Sequence, residues 1–319
     1  MLRKWMAALG LVAMVAGGAQ AQEWPSRSIK LVAPFAPGGS VDIVARILAQ
    51  EMTKSLGQSV VVENKPGASG MIGVDSVVKS VPDGYTLLVN SSIHVIVPSL
   101  FSKITYNALD DLVAVGQATE VPMVMLTGSG NKAKTVPEVI AWAKAQPGLA
   151  YASAGSGSSA HLAGEVFKKA TGVNLTHIPY KGSGAAMADV IGGQVPLMFD
   201  ALTAAMGHIQ GGRMRALAVS SKQRSPILPD VATFEELNMP QMNLSTWHGV
   251  WAPKGTPPAV VKKLNAEIAR IVALPEVREK IRGLGGVPVG NTPAEFDAYQ
   301  RAELAKWSRI VKESGAKVD

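Results

Sequence analysis

Gly38-Gly39-Ser40 and Gly155-Ser156-Gly157-Ser158 are the residues of this chain best suited to hold an anion. In each, glycine leaves backbone N–H groups uncovered just ahead of apolar residues at helical spacing, and a serine stands where an N-cap belongs. Several donors would then converge at a helix's positive end, a setting that suits a carboxylate or a phosphate without any cationic side chain. His161 lies in the first turn after the second loop and is expected to turn a ring N–H toward the same cleft. Asp42, in the first turn after the first loop, reads as a structural cap.

Other chemistries lack their residues. Gly155-Ser-Gly-Ser-Ser-Ala160 matches the dinucleotide pattern G-x-G-x-x-A, but the next strand runs Thr176-His-Ile-Pro and ends without the acid that would hold a ribose. The chain has no G-x-x-x-x-G-K-[ST], no H-E-x-x-H and no G-x-S-x-G, so phosphoryl transfer, zinc proteolysis and the common serine-hydrolase route are unsupported. His94, His177, His208 and His248 are dispersed and read as hydrogen-bonded structural residues; with no cysteine, neither disulfides nor Cys-ligated metals arise. A Ser158–His161 nucleophile would need an orienting acid. Glu165 shares that helix face but points along it, so no catalytic residue, metal or cofactor is expected.

The two loops sit in repeated strand–loop–helix units. An apolar run, 29–33, breaks at Pro34 and Pro37 and yields to a helix; 149–153 does the same before 155–158. A second unit follows each: strand 60–62, loop 63–70, helix 71–78, and later strand 173–178, loop 179–184, helix 185–191. Strands 85–89 and 195–199 close the two sets at Asn90-Ser-Ser92 and Asp200-Ala-Leu202. In an open parallel sheet, ligands gather at such carboxyl ends. The fold class is therefore α/β with two lobes, each a central sheet flanked by helices. The apolar stretches 112–128 and 245–252 carry no helix of their own and read as two strands crossing between the lobes. Thr256 is expected to cap a helix with Pro257 at its first position, and Thr292-Pro-Ala-Glu295 to form a capping box; both helices would cover the first lobe.

The chain opens with Arg3 and Lys4, an apolar stretch from 5 to 16, and Ala19-Gln-Ala21, which is a secretory signal peptide, 1–21. Removing its two cations takes the formal charge from +7 to +5. Scattered Lys and Arg and only 5% aromatics argue against a nucleic-acid platform, while a modest positive field favours anionic small molecules.

Several motifs run in order along the mature chain: Pro37-Gly-Gly-Ser-Val-Asp-Ile-Val-Ala-Arg46, Val62-Glu-Asn-Lys-Pro-Gly-Ala-Ser-Gly70, Pro82-Asp-Gly-Tyr-Thr-Leu87, Ala152-Ser-Ala-Gly-Ser-Gly-Ser158 with His161, and His177-Ile-Pro-Tyr-Lys-Gly182. Gly192-Gly-Gln-Val195, Arg215-Ala-Leu-Ala-Val219 and Leu228-Pro-Asp230 extend them. Together they resemble the periplasmic receptors of tripartite tricarboxylate transporters, the Bug proteins. Departures are Phe35-Ala36-Pro37 where a second proline is common, Lys65 for arginine and Ser69 for glycine.

The resemblance implies a type II-like periplasmic binding protein that closes on a small di-, tri- or aromatic carboxylate and delivers it to membrane permease subunits. It implies lobe 1 at 22–122 with 248–319, and lobe 2 at 123–247. Ligand loops map onto Phe35, Gly39 and Ser40 in one lobe and Ser153, Ser156, Gly157 and Ser158 in the other, with Ala68, Ser69, Ser91, Ser92, Asp200 and Ala201 completing the pocket. A periplasmic monomer without nucleic-acid partners is expected. A co-receptor presenting ligand to a sensor is the alternative, and a Ser/His enzyme the more distant one.

Overall fold

A computed structural model of the chain describes residues 24–316; the expected leader, 1–21, lies outside the described residues. Three parallel strands open the fold: β1 (Ile29–Ala33) pairs with β2 (Val60–Asn64) on one side and β3 (Thr86–Ser91) on the other. Helix α1 (Ser40–Leu56) joins β1 to β2, and α2 (Met71–Val78) joins β2 to β3. Four of the five β1 residues are buried, as a parallel strand covered on both faces requires. A single turn, α3 (Ile93–Ile96), leads toward β4 (Leu112–Gly128).

β4 is the axis of the molecule. From Leu112 to Pro122 it runs antiparallel to β9 (Ser245–Pro253), which itself pairs with β3. From Met123 onward its partners are β7 (Leu197–Ala201) and β8 (Met214–Val219). The exchange falls at Pro122, which has no N–H to continue a ladder. β7 extends the second half to β5 (Leu149–Ser153) and β6 (Leu175–Pro179), again in parallel. Because Met123 faces Ala201 and Pro122 faces Ser245, the carboxyl ends of both parallel sets meet where β4 changes partners.

Helices α4 (Val136–Ala145), α5 (Ser159–Thr171), α6 (Ser183–Ile191) and α7 (Leu202–Gln210) flank the second half. One apolar cluster joins β1 to α1 and to α8 (Pro258–Ala273); another packs β7 against α6 and α7. The largest cluster spans both halves, with Leu88 and Val95 from one, Phe167 and Phe199 from the other, and Trp247, Trp251, Phe296 and Trp307 between.

The C-terminal region departs from the expected arrangement in two respects. Helix α8 begins at Pro258 with Pro257 as N-cap, and Thr256 donates its hydroxyl to Pro253 O at 2.8 Å rather than capping the helix. After α9 (Pro275–Gly283) and the short β10 (Val287–Pro288), helix α10 (Pro293–Ser314) opens with the expected capping box of Thr292 and Glu295. It rests on α3 and β4 but also on α5 of the second half, where Lys169 Nζ donates to Glu313 O at 2.7 Å. No helix among the described residues is long and apolar enough to cross a membrane.

Candidate functional site

The strand ends enclose a narrow cavity between the halves. Phe35, Gly39, Ser40, Ser91 and Thr246 line it from the first half, and Ser158, Ser159, Gly182, Ser183, Asp200 and Ala201 from the second. Ser40, Ser159 and Ser183 are the first residues of α1, α5 and α6, and Ala201 is the N-cap of α7. Four helices of at least nine residues therefore aim their positive ends at one space, each leaving backbone donors without partners inside its helix. No Lys, Arg or His is among the lining residues. A wider open groove beside Asn131, Trp142 and Gly192 lies at the other end of the strands, where β5 and β7 begin, away from these helix termini.

The first loop is fastened from within. Asp42 accepts from the Gly38 N–H at 3.0 Å, from Arg46 Nε at 3.0 Å and from Asn64 Nδ2 at 2.9 Å, and Asn64 also donates to Phe35 O at 3.0 Å. Burial works against its charge, yet Arg46, Gly38 and Asn64 hold the Asp42 carboxyl below the usual range. Ser40 is the first helical residue, not the N-cap that its type suggests; Gly39 takes that place without a side-chain bond. The Ser40 hydroxyl instead meets His248 Nε2 at 2.9 Å, whose Nδ1 meets Thr119 Oγ1 at 2.8 Å. Complete burial pushes His248 down to about 3, so it stays neutral and orients Ser40 through one donor and one acceptor.

The loops touch across the cleft. The Ala36 N–H donates to Lys181 O at 3.3 Å. Gly182 (φ +145°) packs so close that a Cβ there would stand 3.3 Å from Ala36 Cβ, and one on Gly39 would stand 3.5 Å from Ser183 Oγ. The loops of the two halves thus meet directly above the cavity.

Of the residues that the resemblance assigns to the pocket, Phe35, Gly39, Ser40, Ser91, Ser158, Asp200 and Ala201 line the cavity. The others stand behind it. Ser92 is buried and bonds Thr246 Oγ1 at 2.8 Å, and Ser153 bonds His177 Nε2 at 2.7 Å. Gly157 faces Leu100 and Phe101, and Ser156 is not among the lining residues. Ala68 and Ser69 form a positive-φ turn (46° and 53°) whose following Gly70 packs on Phe35.

His161 corrects the expectation most clearly. Its ring turns away from the cavity, stacks on His177 with centroids 4.0 Å apart, and accepts the Gly157 N–H at Nδ1 over 3.2 Å. Burial pushes it down to about 4. It supports the loop from below because an apolar lobe interior, with His177 and Tyr151, is a better place for a neutral ring than the narrow cleft. Conversely, the sequence reading left out Gly182, Ser183, Ser159 and Thr246. Gly182-Ser183-Gly184 carries the same glycine–serine, helix-opening signal as the two loops that were chosen.

A model for "Tripartite tricarboxylate transporter family receptor" matches residues 44–316. The chain belongs to that family. Protein BugT of Bordetella pertussis (strain Tohama I) is 40% identical to the receptor over 323 residues, covering 99% of each chain. The solved structure of R. palustris Rpa4515 with adipate superposes with a TM-score of 0.89 at 32% identity, covering 93% of this chain and all of the other. MatC from Rhodopseudomonas palustris with bound malate gives 0.85 at 30% identity, covering 90% and 100%. The receptor accordingly has the two-halved α/β architecture of periplasmic binding proteins.

Asp200 is the one acid lining the cavity, and it is 3% exposed. Oδ1 accepts the Ala201 N–H at 2.7 Å; Oδ2 forms no hydrogen bond. Burial raises its carboxyl to about 6, against the Ser183 hydroxyl and the Ala201 N–H, which favour the ionised form. An acid whose pKa rises on folding from 3.8 to about 6 binds its proton more tightly in the folded state, so stability falls as pH rises through that window. Asp200→Asn should therefore stabilise the ligand-free receptor above pH 6 by on the order of 2–3 kcal/mol and leave it unchanged below pH 4. Denaturant titrations at pH 4 and pH 7.5 measure this; equal effects at both would contradict it.

Proposed function

We propose that the receptor is a periplasmic protein, released by cleavage after Ala21, that binds an organic carboxylate in this cavity and passes it to membrane permease subunits without altering it. The convergence of four helix N-termini on a cavity without cationic side chains carries this reading. The adipate and malate bound by the two R. palustris relatives support it. The lobes are 22–122 with 248–319 and 123–247, rotating about β4 and the entry to β9 so that the ligand selects the closed form.

Catalysis is disfavoured by how the hydroxyl and the ring are engaged. Ser158 Oγ donates to Gly155 O at 2.7 Å and accepts the backbone N–H of His161 at 3.1 Å, so the ring is not its base.

Thermal unfolding against carboxylates, sugars and amines is the direct test. Ligand at a hundred times its Kd stabilises by about 2.7 kcal/mol, which for a chain of this size raises Tm by roughly 4 °C. Carboxylates of some chain length are expected to do so. Shifts confined to sugars or cationic amines would refute the assignment.

A further inference from the structure

We propose that Asp200 is the specificity-determining residue of the receptor, its Oδ2 accepting a hydrogen bond from a hydroxyl or ammonium group borne by the carboxylate ligand. The inference rests on the carboxylate reading above. The cavity has two chemically opposite poles. One is made of backbone donors, the N-termini of α1, α5 and α6, beside the Ser40 hydroxyl that His248 holds in place. The other is Asp200, at the end of β7, whose Oδ2 is buried without a partner although its neighbour Oδ1 is satisfied. An orphaned carboxylate oxygen in a closed cavity is costly unless something bound there completes it. A plain alkanoate or alkanedioate brings only acceptors and further negative charge, which Asp200 repels. A carboxylate substituted with –OH or –NH₃⁺ offers the anion to the helix ends and the donor to Asp200, satisfying both poles at once.

The test is calorimetry on the mature receptor with matched sets: propionate, lactate and alanine; succinate, malate and aspartate; glutarate, 2-hydroxyglutarate and glutamate; adipate, 2-hydroxyadipate and 2-aminoadipate. In the best-binding set, a substituted member is expected to bind roughly tenfold or more tightly than the plain one, the scale of a hydrogen bond to a charged group. Whether the hydroxyl or the amino member leads identifies the donor. Asp200→Asn, which keeps the shape and removes the negative charge, should bring the plain and substituted members within about threefold of each other. If plain members bind as tightly as substituted ones in the wild type, Asp200 serves instead as a protonated donor or a structural group, and the proposal falls while the carboxylate receptor stands. If Asp200→Asn keeps the full wild-type discrimination, the proposal falls likewise. If no carboxylate of any set binds, the carboxylate reading itself fails, and this inference with it.

Discussion

Gly182→Val should weaken ligand binding by roughly 100-fold and leave the receptor unable to contract when ligand is added. Gly182 lies at φ +145° against Ala36 of the opposing loop, and a Cβ there would stand 3.3 Å from Ala36 Cβ and 3.4 Å from its N. The same Ala36 N–H donates to Lys181 O across the cleft. A branched side chain would separate the loops, pulling the N-termini of α1 and α6 out of common reach of one anion. An affinity loss of about 100-fold corresponds to about 2.8 kcal/mol, a few helix-terminal contacts. Valine at that φ also strains the backbone by roughly 1–3 kcal/mol, so a strain-only control is needed. Gly193→Ala serves, with φ +76° and nothing within 4 Å of its would-be Cβ. Small-angle scattering with and without saturating ligand should show contraction in the wild type and the control but not in Gly182→Val. A variant that still contracts and binds normally would show that contact between these loops is not part of closure.

The second large effect concerns the helix that ties the two halves together. Glu303→Ala is expected to destabilise the receptor by roughly 3–6 kcal/mol, because Glu303 Oε2 accepts from Trp247 Nε1 at 3.0 Å and from Trp307 Nε1 at 2.9 Å, and both indoles are completely buried. Each orphaned donor costs about 1–3 kcal/mol, and the lost packing of the side-chain stem adds to it. Glu303→Gln keeps an acceptor oxygen and should lose less than half as much, although Lys306, at 3.0 Å from Oε1, loses its ion pair. Denaturant unfolding followed by tryptophan fluorescence reads both variants. A loss below 1 kcal/mol for the alanine variant would mean that the indoles find other acceptors, and that α10 is not held by this carboxylate.

Much of this protein was legible in its residues. Apolar runs that end at proline, glycine or serine read as strands, and the helical spacing after them placed helix N-termini at the strand ends. Parallel strands carry all such ends to one edge, so the place of the cavity followed from local pattern alone. What local pattern could not decide was which side chains at those ends face inward. His161 and Ser158 are one helical turn apart, yet the serine lines the cavity and the histidine points into the lobe, because His177 from β6 and the Gly157 N–H compete for the ring. Ser91 and Ser92 are adjacent and part in the same way, as successive positions at a strand end must, with Ser92 drawn to Thr246 from β9. The reach of α10 onto α5, the bond from His248 to Ser40, and the unpartnered oxygen of Asp200 all join residues far apart in the chain. Periodicity and turn chemistry act over a few residues and determined the elements and their ends; side-chain direction and electrostatic pairing are settled by neighbours brought from elsewhere in the chain, and only the packed molecule decided them.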